Sequence, residues 1–317
     1  MKKMLKNCMY AMLLAVFMIS AGAEPSYAAA IKFAQFSDVH YSEDRDDTSY
    51  KLLSHTKEIL DDAIEQVNRR KGIKFVMLTG DNIDEPKKRS LDGMLDSLNK
   101  LKYPWYIALG NHDTSFSSYI NKENFFKEIR AKNKNFKFEG SRYTFKPQKG
   151  FRVIVMDGSS NMGHSAHGSY TEEDLEWLDN TLAESKNDVV LIFQHFPVIP
   201  PYDAPSHEIR NAEAYKEILK KHKMPIALFS GHYHAARITK EGNILHVSSP
   251  ALVSWPNSFR IIEIDSSRNK AVFKFEFCET GLKELQSTAK SRIAGDKIFY
   301  GREQDRNIKI TIEKKQI

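Results

Sequence analysis

Five short stretches of this 317-residue chain carry side chains able to do chemistry. They are Asp38-Val39-His40, Gly80-Asp81-Asn82-Ile83-Asp84, Gly110-Asn111-His112-Asp113, Gln194-His195 and Gly231-His232-Tyr233-His234. Each follows an apolar run. Asp38 and His40 are two apart, and His232 and His234 repeat that spacing. On extended backbone such pairs point to one side, so two of them can clasp ions from opposite sides. Carboxylate oxygen combined with imidazole nitrogen suits Zn, Mn or Fe. Ca and Mg prefer oxygen alone, so this many histidines argues against them. None of the five stretches contains cysteine, which excludes a zinc-thiolate site. Asp81 stands at the centre, because a carboxylate has two oxygens and can bridge two ions.

The elements that must position these groups can be read from the flanking pattern. Residues 31–37 and 73–78 are short apolar runs that read as buried strands, and residues 105–109 read as a third. Between them, helical spacing covers residues 50–70, and Leu91, Leu95, Leu98 and Leu101 mark a second helix. Strand, helix, strand, helix, strand argues for parallel pairing through helical crossovers. In such sheets functional groups gather beyond the carboxyl ends of the strands, where three of the five stretches fall. Further on, residues 125–131 read as a helix, and residues 142–145 and 151–156 as two strands of a hairpin. Thr171 to Asp174 forms a capping box for another helix. A buried strand at 189–193 ends in Gln194-His195, and Pro197, Pro200, Pro201 and Pro205 then hold an extended loop. A helix over 208–222 and a strand over 226–229 lead into Gly231. Beyond that, residues 235–238, 244–247, 259–264 and 271–277 read as an antiparallel meander on the far side of a second sheet. Residues 281–294 read as helical and 307–312 as an edge strand.

In order, the stretches spell D-x-H, G-D-x-x-D, G-N-H-D, a later His, and G-H-x-H. This set resembles the calcineurin-like metallophosphoesterase superfamily, and within it the secreted phosphoesterases and the cyclic-nucleotide phosphodiesterase branch. The resemblance implies an α/β fold of two packed mixed β-sheets flanked by helices, with the metal site at the C-terminal ends of strands. It would occupy residues 29–317, with 281–317 as a C-terminal extension of the same domain. It also implies roles. Asp38, His40, Asp81 and His234 would hold one metal, and Asp81, Asn111, His195 and His232 the other. The cofactors would be two transition-metal ions, Mn, Fe or Zn. A hydroxide between them is the expected nucleophile in an in-line displacement at phosphorus. His112 would protonate the leaving alkoxide, and Asp84 would orient His112 through its other ring nitrogen. The implied substrate is a phosphorylated small molecule, a phosphomonoester or a phosphodiester. A non-catalytic binding protein that keeps its metals is the alternative.

The chain departs from two branches. Purple acid phosphatases use a Tyr shortly after the shared Asp, whereas Ile83 and Asp84 follow Asn82 here. The protein-phosphatase pattern is broken by Pro86 and a missing Arg. Within the third stretch, Asp113 reads as a loop-holding carboxylate, and outside the motifs His55 and His222 read as helix-surface residues. His164, His167 and His207 are candidates to line a substrate cleft. Tyr233 and Trp255 could pack in the core or stack on an aromatic group.

The net charge of +6 is ordinary solubility charge, and no basic stripe supports strong nucleic-acid binding. Residues 1–28 have the form of a secretory signal peptide. Lys2, Lys3 and Lys6 precede an apolar stretch at 10–19, and small residues follow. Cleavage could fall after Ala28 or after Ala23; an uncleaved anchor is the other reading, although the apolar stretch is short for a bilayer. No transmembrane segment is expected after cleavage. The mature protein would be extracellular or periplasmic, which argues against intracellular cyclic AMP as substrate. Cys278 would then be the sole cysteine, leaving stability to packing and metal.

Overall fold

The computed structural model describes residues 29–314, and the signal-peptide reading falls on residues outside them. Strands β1 (Ala29–Phe36), β2 (Phe75–Thr79) and β3 (Trp105–Ala108) are parallel neighbours. Helices α1 (Thr56–Asn68) and α2 (Lys88–Leu98) cross between them. The apolar stripe of α1, from Ile59 to Val67, is buried as its spacing requires. The helix starts later than its periodicity predicts. The stretch before it is tied down elsewhere: the Leu52 amide donates to the Val253 carbonyl at 2.9 Å, and Lys51 is buried.

The second sheet holds β4 (Tyr143–Gln148), β5 (Phe151–Val155), β6 (Val189–Phe193), β7 (Ile226–Ser230), β8 (Arg237–Glu241) and β9 (Ile244–Ser248). Its order is β4-β5-β6-β7-β9-β8. β4 and β5 form the expected hairpin, and β5, β6, β7 and β9 run parallel. Helix α3 (Lys122–Lys132) follows β3. Helix α4 (Glu172–Glu184), opened by the Thr171–Asp174 capping box, connects β5 to β6, and α5 (Ala212–Lys221) connects β6 to β7.

The stretch after His234 is not one meander. β8 pairs with β9, and β10 (Ser258–Ser266) with β11 (Lys270–Glu279), but the two hairpins lie in different sheets. β10 and β11 return to the first sheet, whose order is β12-β11-β10-β1-β2-β3, with β12 (Ile308–Glu313) at the edge. Burial explains the switch. Ser258 to Ile262 are covered on both faces, which a half-exposed meander cannot provide and the free flank of β1 can. Helices α6 (Lys283–Ser291) and α7 (Asp296–Tyr300) lie between β11 and β12.

The two sheets pack face to face. Phe33 of β1 stacks on Phe75 of β2 at 5.0 Å and meets Phe193 of β6 and Phe229 of β7 edge-on at 5.6 and 5.3 Å. This is the two-sheet α/β architecture that the resemblance implied. β1, β2, β3, β6 and β7 all end at one edge of this sandwich, and the five motif stretches follow those ends. Among the described residues, no helix is long and apolar enough to cross a membrane.

Candidate metal centre

Where the strands stop, the backbone turns into an unusual conformation. Among the described residues six non-glycine positions have positive φ, and five are motif residues: Asp38, His40, Asp81, His232 and His234, at 45° to 70°. The spacing of two therefore does not act through extended backbone. Left-handed backbone costs about 1–3 kcal/mol per such residue and is retained where surroundings over-determine it. Here neighbouring loops supply the restraint. The His40 amide donates to the Asp81 carbonyl at 2.8 Å, and the His232 amide to the Asp38 carboxylate at 3.0 Å. The loops also approach closely. A Cβ on Gly231 would lie 2.0 Å from Ser37 Oγ, and one on Gly110 would lie 2.1 Å from the Asp81 nitrogen. Only glycine fits either place.

The side chains converge. His40 Nε2 and His195 Nε2 stand 3.4 and 3.3 Å from the same Asp81 Oδ2. His234 Nε2 is 3.4 Å from Asp38 Oδ1, and His232 Nδ1 is 3.1 Å from His195 Nε2. Asn111 turns Oδ1 toward His195 at 3.1 Å and donates from Nδ2 to His164 Nε2 at 2.9 Å. Asp38, His40 and His234 form one group with ligand atoms within 4.8 Å of each other, and Asp81, His195 and His232 form a second.

Contacts behind the rings fix which nitrogen faces inward. His195 donates Nδ1–H to the Thr79 carbonyl at 2.9 Å, leaving Nε2 directed into the site. His232 is reversed: Nε2–H goes to the Ala166 carbonyl at 2.9 Å, so Nδ1 points inward. His40 presents Nδ1 to Asp84 Oδ1 at 3.1 Å, and its buried Nε2 has no hydrogen-bond partner. His234 Nδ1 sits 3.0 Å from Ser254 Oγ. Inward ring nitrogens, an orphaned buried nitrogen and a shared carboxylate are what a pair of metal ions requires, so the residues fit that cofactor.

The electrostatics point the same way. Burial opposes ionisation of Asp38 and Asp81, yet the facing histidines hold both carboxyls below the usual range. Burial would lower His195, but Asp81 and Asp38 outweigh it and raise its pKa to about 9. A cation placed there would meet the same negative field. Burial pushes His40 and His232 down to about 3, Lys51 adding to the effect on His40 and His195 on His232, so both rings are neutral and free to ligate.

Asp113 is structural, as its loop position suggested. It accepts from the amides of Gly110, Asn82 and Ile83 and from Asn82 Nδ2, at 2.7 to 3.0 Å. Asp84 differs from expectation. His112 Nδ1 donates to the Asp84 backbone carbonyl at 2.8 Å, and the carboxylate stays 3.9 Å away. The carboxylate instead serves His40 and Lys51, whose Nζ is 3.1 Å from both Asp84 Oδ1 and His40 Nδ1. Sequence reasoning missed Lys51, because a lysine at the head of an amphipathic helix reads as solvent-facing. It missed Ser254 too, since a loop serine carries no signal. His164 joins the site, with Nε2 3.2 Å from His112 Nε2. His207 lies beside His232, at 5.2 Å between ring centroids, while His167 Nδ1 donates to the Glu208 carbonyl at 3.2 Å. His222 pairs with Asp179 and His55 with Glu58, both away from the site. A cavity of about 390 Å³ opens beside His112, lined by Arg45, Tyr50, Lys51, Ser115 and His164 among others.

The family model of the calcineurin-like phosphoesterases matches residues 31–236. The chain belongs to that family. Relatives of this phosphoesterase include a manganese-dependent ADP-ribose/CDP-alcohol diphosphatase of Danio rerio, 23% identical over 71% of this chain and 88% of its own length. A probable cyclic nucleotide phosphodiesterase of Xenorhabdus bovienii is 24% identical over 77% of this chain and 96% of its own. Among solved structures, a dimetal phosphatase from Danio rerio superposes with a TM-score of 0.61 at 20% identity, covering 79% of this chain and 99% of that one. At that identity the likeness is one of fold.

Proposed function

We propose that this phosphoesterase hydrolyses phosphomonoesters or phosphodiesters with two transition-metal ions, Mn, Fe or Zn. Asp38, His40, Asp81 and His234 would hold one ion, and Asp81, Asn111, His195 and His232 the other. The observation that carries this reading is Asp81 Oδ2, set between His40 Nε2 and His195 Nε2 at 3.4 and 3.3 Å, with His112 alongside. When bound, the two ions supply Lewis acidity toward phosphate oxygens and toward water.

The chain's own residues do the rest. His112 is the acid. Its ring is oriented by the Nδ1–H bond to the Asp84 carbonyl, and its Nε2 faces the cleft. His164 Nε2, which accepts from the Asn111 amide, stands 3.2 Å from His112 Nε2. A proton on His112 Nε2 goes to the departing ester oxygen. The Asp81 Oδ1 atom accepts from the His112 amide at 3.0 Å, which ties the acid loop to the shared carboxylate. Arg45 and Lys51 line the cleft together with their ion-pair partners Glu85 and Asp84.

The test is hydrolysis of an aryl phosphomonoester and an aryl phosphodiester before chelation, after chelation, and after return of Mn. Activity should vanish and come back on at least one of the two. A metal-replete preparation inert on both would overturn the reading. We further propose that the protein is exported, on the basic, apolar and small-residue pattern of residues 1–28. Sequencing the amino terminus of protein recovered outside the cytoplasm should begin at Glu24 or Ala29. An intact Met1 would reject cleavage.

A further inference from the structure

The described surface leaves five large apolar side chains exposed: Tyr50, Phe116, Tyr119, Met162 and Ile298. One of them lines the cleft beside His112, and two more sit on loops that contribute to its lining. Tyr50 lines it directly. Phe116 follows Ser115, and Met162 stands two residues before His164; Ser115 and His164 are both cleft residues. The two loops that carry them meet, since a Cβ on Gly163 would sit 3.7 Å from Ser115 Oγ. Phe116 is 73% exposed and Met162 is 80% exposed, so neither serves the core. Single exposed apolar residues need no explanation, but a group around one opening marks a binding surface. The rest of the lining is largely polar, with Arg45 and Lys51 paired to Glu85 and Asp84 and with His112 and His164 beside them. Its volume of about 390 Å³ sits toward the small end of the range for small-molecule sites.

We infer that this cleft receives the leaving group of the ester, and that the leaving group is apolar, an aryl or short alkyl alcohol. The inference rests on the phosphoesterase reading. The acid must stand beside the oxygen that departs, and His112 Nε2 faces this cleft. The carbon skeleton on that oxygen then extends past Tyr50 toward the loops that carry Phe116 and Met162. In the reaction the phosphorus–oxygen bond to this alcohol breaks and an oxygen from water bonds to phosphorus. The departing oxygen takes the His112 proton, and a proton from water restores the charge balance. The cavity suits one ring or one short chain and is too small for a two-chain lipid.

The experiment is kcat/KM of the full, Mn-loaded chain on methyl phosphodiesters whose second alcohol lengthens from methyl to hexyl. These alcohols leave with similar intrinsic ease, so differences report binding of the chain. The value should rise about twofold to fourfold per methylene until the cleft fills, the upper figure being full burial of one CH₂. Calorimetry with non-hydrolysable alkylphosphonates should show the same order. Phe116→Ser combined with Met162→Ser should flatten both series, and Ile298→Ser, at an exposed apolar position outside the cleft, should leave their slopes intact. Hydrolysis of the methyl ester with a flat or falling series would overturn the inference while sparing the phosphoesterase reading. No hydrolysis of any member by metal-replete protein would overturn that reading and the inference with it. Sedimentation with phosphatidylcholine/phosphatidylglycerol vesicles separates one more case: binding that is lost in the double variant, alongside a flat series, would reassign the rim to a lipid surface and overturn the inference.

Discussion

His40 and His195 aim Nε2 at the same oxygen of Asp81, yet what stands behind each ring differs. Behind His195 is the Thr79 carbonyl, and behind its partner His232 is the Ala166 carbonyl. Both are peptide groups that no substitution removes. Behind His40 is the Asp84 carboxylate, itself held by Lys51, and behind His234 is the Ser254 hydroxyl. One half of the site is thus backed by the fold and the other by side chains. A carboxylate behind an imidazole raises its basicity, and a cation behind the carboxylate moderates that effect. Affinity in the first half can therefore be tuned by mutation independently of the fold, while the second half is tied to strand geometry.

The largest effect should come from destroying what the halves share. Asp81→Ala should remove both ions and all hydrolysis, whereas His234→Ala should cost the first half and His195→Ala the second. Metal content by mass spectrometry, read together with turnover, checks this. Loss of one equivalent only on Asp81→Ala would mean the carboxylate is not shared. Next in size is His112→Ala, which belongs to neither half. It should lower kcat by about 10²–10⁴-fold, with metal content unchanged. The loss should shrink for a nitrophenolate leaving group, which departs without a proton. An equal loss on alkyl and nitrophenyl esters would remove the acid role.

A smaller change should expose the asymmetry itself. Asp84→Asn keeps the backbone carbonyl that orients His112 but withdraws the anion behind His40. Outer contacts of this kind are worth about 10–100-fold in metal affinity. Competitive Mn titration of the variant should show one site weakened by that factor and the other unmoved. Equal weakening of both sites would refute the division into side-chain-backed and fold-backed halves.

Much of this was legible before the structure. The alternation of strand and helix set the parallel core, because periods of 2 and 3.6 are imposed by burial and survive in any context. The motif residues were legible because each is a polar group at the end of an apolar run. What stayed hidden was non-local. Nothing in residues 258–279 says that their partner is β1 rather than β9, since pairing depends on which flank is free. The left-handed backbone at Asp38 and His234 is imposed by loops distant in sequence. Lys51 and Asp84 have unremarkable neighbours, and their pairing appears only once β1, α1 and β2 have assembled.

One buried histidine tests whether convergence, rather than burial, makes the site. His246 on β9 is as buried as His234, and neither of its ring nitrogens has a hydrogen-bond partner. Among the described residues it belongs to no group of three ligands; Glu241 lies 3.6 Å away and is half exposed. Burial, with Lys216 adding repulsion, depresses its pKa to about 4. The sign follows from linkage. Above the ordinary histidine pKa of about 6.5, folded and unfolded chains both carry it neutral, and it adds no pH dependence. As pH falls from there toward 4, the unfolded chain takes up a proton that the fold refuses, and stability declines. The full loss is on the order of 3 kcal/mol below that window. His246→Leu should remove this decline without touching metal content or turnover. Urea midpoints of wild type and variant at pH 7 and pH 5 give the comparison, and the difference between them cancels the titration of the site histidines. If the variant lost stability with acid as steeply as wild type, the decline would belong to the converging histidines, and their burial would be paid for in stability rather than balanced by Asp38 and Asp81.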